Sequence, residues 1–145
     1  MRISIASDHG GFHQKQALAR HLESMGHTVL DRGCDSEESV DYPDYAEIVG
    51  EDVAVKEADC GILVCGTGIG MAIAANKIRG VRAANVTSVE FAQLAREHND
   101  ANVLTLSGRF VPLTTNTDIV EAFLTTPFAG DRHDRRVKKI QSLEQ

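Results

Sequence analysis

Short apolar runs rich in isoleucine and valine alternate along this chain with longer segments of helical spacing. That alternation is the pattern of βαβ units, in which helices bury both faces of a parallel sheet. Strands are expected at Arg2–Ala6, Thr28–Asp31, Gly61–Cys65, Arg82–Val86 and Val103–Leu106. Helices are expected at Phe12–Met25, Asp44–Lys56, Met71–Lys77, Val89–Glu97 and Thr117–Leu124, with a last, basic helix from about Arg132 to Leu143. Gly26, Gly80 and Asn99 fit the carboxyl ends of the first, third and fourth helices. No linker, repeat or low-complexity segment interrupts the pattern, so residues 1–145 are expected to form one α/β domain. A chain of this length buries about 68–70% of the surface that it exposes when unfolded, without needing staples or metal.

Composition narrows the partners. Fifteen Lys and Arg against 21 Asp and Glu give a formal net charge of −6, and no basic run is longer than two residues. A phosphate-tracking nucleic-acid surface is not expected, and seven aromatics without tryptophan make a base-stacking platform improbable. A local basic pocket for a small anion remains compatible with this balance. The start of the chain lacks a signal-peptide apolar segment, and Cys34, Cys60 and Cys65 are an odd number, so a reduced, cytoplasmic setting is expected. No apolar stretch approaches the roughly 18 residues of a membrane span.

In a parallel sheet of this kind, ligands collect beyond the carboxyl ends of the strands. Ser7-Asp8-His9-Gly10-Gly11 follows the first strand and Cys65-Gly66-Thr67-Gly68-Ile69-Gly70 follows the third. The second turn leads into a helix, so its amides can converge on an anion near the positive end of the helix dipole. The alternative is a tight turn that needs glycine for its backbone angles alone. The spacing is not that of a dinucleotide fingerprint or a Walker loop. Cys65 would feel the same amide dipoles, which favour a thiolate, although buried cysteines are also ordinary core residues. Met71 stands where a cysteine phosphatase would carry arginine. Cys34 and Cys60 fit no zinc spacing with it. Asp8-His9 would point into the crevice or form a simple turn, and His98 would end the fourth helix either as a functional group or as a dipole partner. His13, His21 and His27 read as surface residues. Arg132 and Arg136 lie four apart on one helical face, which suits a phosphate or, alternatively, a solvated basic face.

Ser7-Asp8-His9-Gly10-Gly11, Asp41-Tyr42-Pro43, the block Cys65-Gly-Thr-Gly-Ile-Gly-Met-Ala-Ile-Ala-Ala-Asn-Lys77, His98-Asn99-Asp100, Asn102-Val103-Leu104 and Arg132-His133 before Arg136 together resemble the type B ribose-5-phosphate isomerases. The wider family includes galactose-6-phosphate isomerase subunits. The resemblance spans Arg2 to about Ile140. It implies a three-layer α/β/α Rossmann-like fold with a five-stranded parallel sheet in the order 2-1-3-5-4. It also implies an aldose–ketose isomerisation through an enediolate, without metal or organic cofactor.

By matching position, Cys65 resembles the base, Thr67 its assistant, and the amides of Gly66, Thr67, Gly68, Ile69 and Gly70 the cradle of the enediolate. Asp8 and His98 resemble the pair that opens the sugar ring. His9, Arg109, Arg132 and Arg136 resemble a phosphate clamp, and Asn99 a partner of the sugar hydroxyls. Some relatives carry a glutamate base where Met71 stands, so this chain falls with the cysteine-base branch. A six-carbon phosphosugar is the nearest alternative substrate, and a non-catalytic phosphosugar-binding module the alternative of another class. Topology adds one expectation: Asp8 and Cys65 end strands, whereas His98 ends a helix that returns to the opposite sheet edge. A shared site therefore calls for a homodimer, alone or as half of a tetramer, in which His98 serves the partner's Cys65.

Overall fold

The computed structural model describes residues 1–144. Its single sheet contains β1 (Arg2–Ser7), β2 (Thr28–Asp31), β3 (Cys60–Cys65), β4 (Ala83–Asn85) and β5 (Val103–Ser107). Neighbouring strands are all parallel and stand in the order β2-β1-β3-β5-β4, as the resemblance implies. The helices are α1 (Phe12–Ser24), α2 (Tyr42–Ala54), α3 (Ile69–Ala75), α4 (Val89–Asn99), α5 (Leu113–Thr125) and α6 (Arg132–Gln141).

The two-residue period of the strands divides their apolar side chains between two helical layers. Ile3, Ile5, Ile62, Val64, Leu104 and Leu106 pack with α1, α4 and α5 through Leu18, Leu22, Ala92, Ile119 and Phe123. Ala6, Leu63, Cys65 and Val103 face α2 and α3, meeting Val49, Val53, Met71 and Ala75. Both faces of β3 are closed, and all six of its residues are buried. Each fully buried aliphatic side chain contributes about 1.5–3 kcal/mol. The sheet thus holds the ends of β1 and β3 as fixed platforms.

Both edges are secured by side chains. At the β2 edge, buried Lys15 places its ammonium 2.9 Å from both carboxylate oxygens of Asp31. At the β4 edge, Asn76 accepts from the Ala83 amide (2.8 Å) and donates to the Ala83 carbonyl (2.9 Å). The Arg82 amide, just before β4, donates to Asn102 Oδ1 at 2.7 Å.

Four local expectations need correction. The fourth helix closes on Asp100, in the left-handed region at φ 47°, and Asn99 is its last helical residue. The third helix ends at Ala75 and is capped by Asn76, so Gly80 closes a later turn instead. His21 is half-buried and bonds Glu121 at 2.8 Å, tying α1 to α5. The fifth helix also begins four residues earlier than expected, because Thr114 and Thr115 obscure its start.

Candidate active site

The turn after β1 is set by Asp8. Its Oδ1 accepts from the Gly11 amide (3.1 Å) and its own amide donates to the Val64 carbonyl (3.2 Å), so the buried carboxylate is locked between β1 and β3. His9 follows in a single 3-10 turn, His9–Gly11. The Val40 amide donates to His9 Nδ1 at 3.2 Å. A backbone N–H can only donate, so the neutral imidazole carries its proton on Nε2, the outward nitrogen.

The turn after β3 is built by glycine at two places. Gly68 has φ 83°, and a Cβ there would lie 2.5 Å from Asn85 Oδ1. Both backbone angle and space exclude a side chain. A Cβ at Gly70 would lie 2.5 Å from the Tyr42 ring, so the start of α2 is pressed onto the loop. Within the loop the Gly68 amide donates to Cys65 Sγ (3.1 Å), and the Ile69 amide donates to Thr67 Oγ1 (3.1 Å). Two of the expected cradle amides are therefore engaged. Those of Gly66, Thr67 and Gly70 meet no acceptor among the described residues.

Arg109 arrives on the turn after β5. Its guanidinium sits beside both glycine turns: a Cβ at Gly10 would be 3.3 Å from it, and one at Gly66 would be 3.4 Å from it. Among the described residues it forms no ion pair. Asp8, His9, Cys65, Gly66 to Gly70 and Arg109 thus gather at one edge of the sheet.

The remaining expected site residues stand elsewhere. His98 and Asn99 end α4 at the edge where β5 begins. The His98 ring stacks on His133 of α6, with centroids 4.2 Å apart and planes 14° apart. Burial pushes the His133 imidazole below its ordinary range, and the adjacent His98, Arg132 and Arg136 push the same way. Arg132 and Arg136 are exposed on the same helix and form no ion pair among the described residues. A five-residue strand such as β5 spans about 17 Å. The expected clamp is accordingly divided, with Arg109 at the loop edge and Arg132 and Arg136 with His98 at the other.

Cys60 and Cys34 are buried, and Cys60 is pushed up to about 12 by desolvation and then by Asp59. A cleft of about 780 Å³ lies at the His98 edge and is lined by Lys77, Arg82, Asn99, Ile140 and Leu143 among others. Sequence reasoning assigned Tyr42 no role, yet its ring covers Gly70. The Asp41-Tyr42-Pro43 signal was visible but carried no stated chemistry. Among the described residues, no group of three or more metal-ligating side chains is assembled, and no helix is long and apolar enough to cross a membrane.

Comparison with known proteins joins these features. A ribose-5-phosphate isomerase B of Escherichia coli is 45% identical over 144 residues, covering 99% of this chain and 97% of its own length. A putative sugar phosphate isomerase of Bacillus subtilis is 44% identical, covering 100% of this chain and 98% of its own. Among solved structures, a ribose-5-phosphate isomerase B of Clostridium thermocellum superposes with a TM-score of 0.98 at 48% identity, covering 99% of this chain and 97% of that one. The Mycoplasma genitalium enzyme with bound ribulose 5-phosphate gives 0.94 at 46%, covering 98% and 95%. With residues 3–140 matching the family described as Ribose/Galactose Isomerase, the chain belongs to that family of isomerases.

Proposed function

We propose that this chain, as one domain, interconverts ribose 5-phosphate and ribulose 5-phosphate through an enediolate, using Cys65 as the base and no metal or organic cofactor. The observation that carries the reading is the Gly68 amide donating to Cys65 Sγ at 3.1 Å, beside the loop amides of Gly66, Thr67 and Gly70, which meet no acceptor among the described residues. Proton transfer next to a carbonyl needs a base and fixed donors where negative charge develops. The hydrogen bond to sulfur gives charge on Cys65 a partner. The Thr67 and Gly70 amides are positioned to receive the enediolate oxygen, each worth about 3 kcal/mol by analogy with oxyanion holes. Thr67 steadies the loop through its bond from Ile69.

Asp8 has one carboxylate oxygen committed to Gly11, leaving the other for the sugar during ring opening. His98 acts as the acid in that step, with Asn99 holding hydroxyls. His9 Nε2–H and Arg109 grip the phosphate from one subunit, and Arg132 and Arg136 from its partner. The separation of His98 from Cys65 supports this two-subunit site. So does α3, which descends from the loop to the opposite edge with Ile69 and Ile73 one turn apart and more than half exposed. A two-fold axis across that helix would cover both isoleucines and bring each loop to the partner's α4 end.

The test is kcat/KM of purified protein with ribose 5-phosphate, allose 6-phosphate and galactose 6-phosphate. The pentose phosphate is expected to lead. A tenfold lead for a hexose phosphate, about 1.4 kcal/mol in transition-state binding, reassigns the substrate, and no turnover of any of them removes the activity.

A further inference from the structure

We infer that Ser107, held from behind by Gln14 and Asn116, is a positioning residue that sets both the Arg109 guanidinium and the Gly66–Thr67 peptide. This rests on the phosphate-holding role proposed for Arg109. Ser107 ends β5 and is buried. Its hydroxyl donates to the Gly66 carbonyl at 2.7 Å and accepts from the Phe110 amide at 3.0 Å. The Arg109 amide adds a second bond to the same carbonyl at 3.2 Å. One hydroxyl thus clasps the glycine loop on one side and the arginine turn on the other.

Peptide planarity converts that clasp into a catalytic geometry. With the Gly66 carbonyl held toward β5, the trans peptide sends the Thr67 N–H the opposite way, away from β5. That is one of the three loop amides without an acceptor among the described residues.

The support behind Ser107 is a pair of side-chain amides, the buried Asn116 and the half-buried Gln14. Asn116 Nδ2 donates to the Ser107 carbonyl (2.9 Å) and to Gln14 Oε1 (2.7 Å). Gln14 Nε2 donates to the carbonyls of Gly108 (3.2 Å) and Val111 (2.8 Å). Three carbonyls of the turn that carries Arg109 are therefore held by side chains from α1 and α5. Asn116 is wholly buried, and its Oδ1 has no partner among the described residues. An unpaired buried acceptor is costly, so the side chain is retained in this orientation by what its nitrogen holds.

The test compares wild type, Ser107→Ala, Gln14→Leu, Arg109→Ala and the Ser107→Ala/Arg109→Ala double variant. Two readouts are taken: the dissociation constant of inorganic phosphate, and kcat and KM for ribose 5-phosphate. Ser107→Ala and Gln14→Leu are each expected to weaken phosphate about tenfold and raise KM in step, with thermal unfolding and dimerisation retained. In the Arg109→Ala background, Ser107→Ala should weaken phosphate less than twofold further, because the group it positions is gone. Phosphate affinity unchanged in both single variants overturns the inference, as does a full tenfold loss that persists in the absence of Arg109. Wild-type protein that turns over no pentose phosphate removes the proposed function instead, and the phosphate constants still decide the role of Ser107.

Discussion

The two edges of the sheet carry contrasting halves of the candidate site. At the loop edge, Asp8 and Cys65 are buried, hydrogen-bonded and built into strand ends, and even the spaces beside Gly68 and Gly70 are filled. At the helix edge, Arg132 and Arg136 are exposed arms without ion partners among the described residues, and the His98 ring is stacked on His133. The difference separates two demands of catalysis. On the proposed roles, the base Cys65 must be held within fractions of an ångström, whereas Arg132 and Arg136, reaching for a remote anion, tolerate motion and contribute binding energy.

The sharpest way to break this comparison is to damage each edge separately. Cys65→Ala should lower kcat about 10²–10⁴-fold, the range for a lost general base, while inorganic phosphate affinity stays within twofold of wild type. A phosphate loss equal to the kcat loss would erase the distinction between the edges. Co-refolding Cys65→Ala with His98→Ala should then restore about a quarter of wild-type sites, since half of randomly paired two-fold dimers are mixed and each has one intact site. No activity from demonstrably mixed dimers would place His98 on its own subunit's sugar.

A smaller effect sharpens the contrast within the phosphate grip. Arg136→Ala is expected to raise KM about tenfold, with a lesser fall in kcat, and phosphate should protect the wild-type dimer from dilution more than the variant dimer. Equal protection would detach Arg136 from the partner's site.

The smallest effect concerns His133. Its folded value lies below that of the unfolded chain, so its contribution to stability is complete above the ordinary histidine range. As pH falls through that range the unfolded chain binds the proton more readily, and stability declines toward the folded value. Melting temperatures at pH 8 and 5.5 should fall less on acidification in His133→Phe than in wild type. An equal fall in both would place the titrating group elsewhere.

Much of the loop edge was legible because strand ends announce themselves. An apolar run stops, and the next residues are Asp8-His9 or Cys65-Gly66, so topology alone directs them into the crevice. The support under Arg109 was not legible. Gln14 and Asn116 sit in helices 102 positions apart, and polar residues on helices read as solvent-facing until their burial is known. The end of α4 misled for another reason: Asn99 and Asp100 both tolerate the left-handed region, and the bonds of Arg82 and Arg96 to Asp100 favour the second. The separation of Arg109 from Arg132 and Arg136 likewise follows from where α6 packs, against α4, which no local spacing encodes.

The Asn76 side chain has a consequence beyond the site. β4 is an outer strand, and outer strands offer free amides and carbonyls on which foreign chains can polymerise. Here Asn76 occupies both backbone groups of Ala83, and the strand is only three residues long. A sheet ending this way offers no ladder for another strand to extend at those positions. Fibrous growth from this edge is thereby disfavoured.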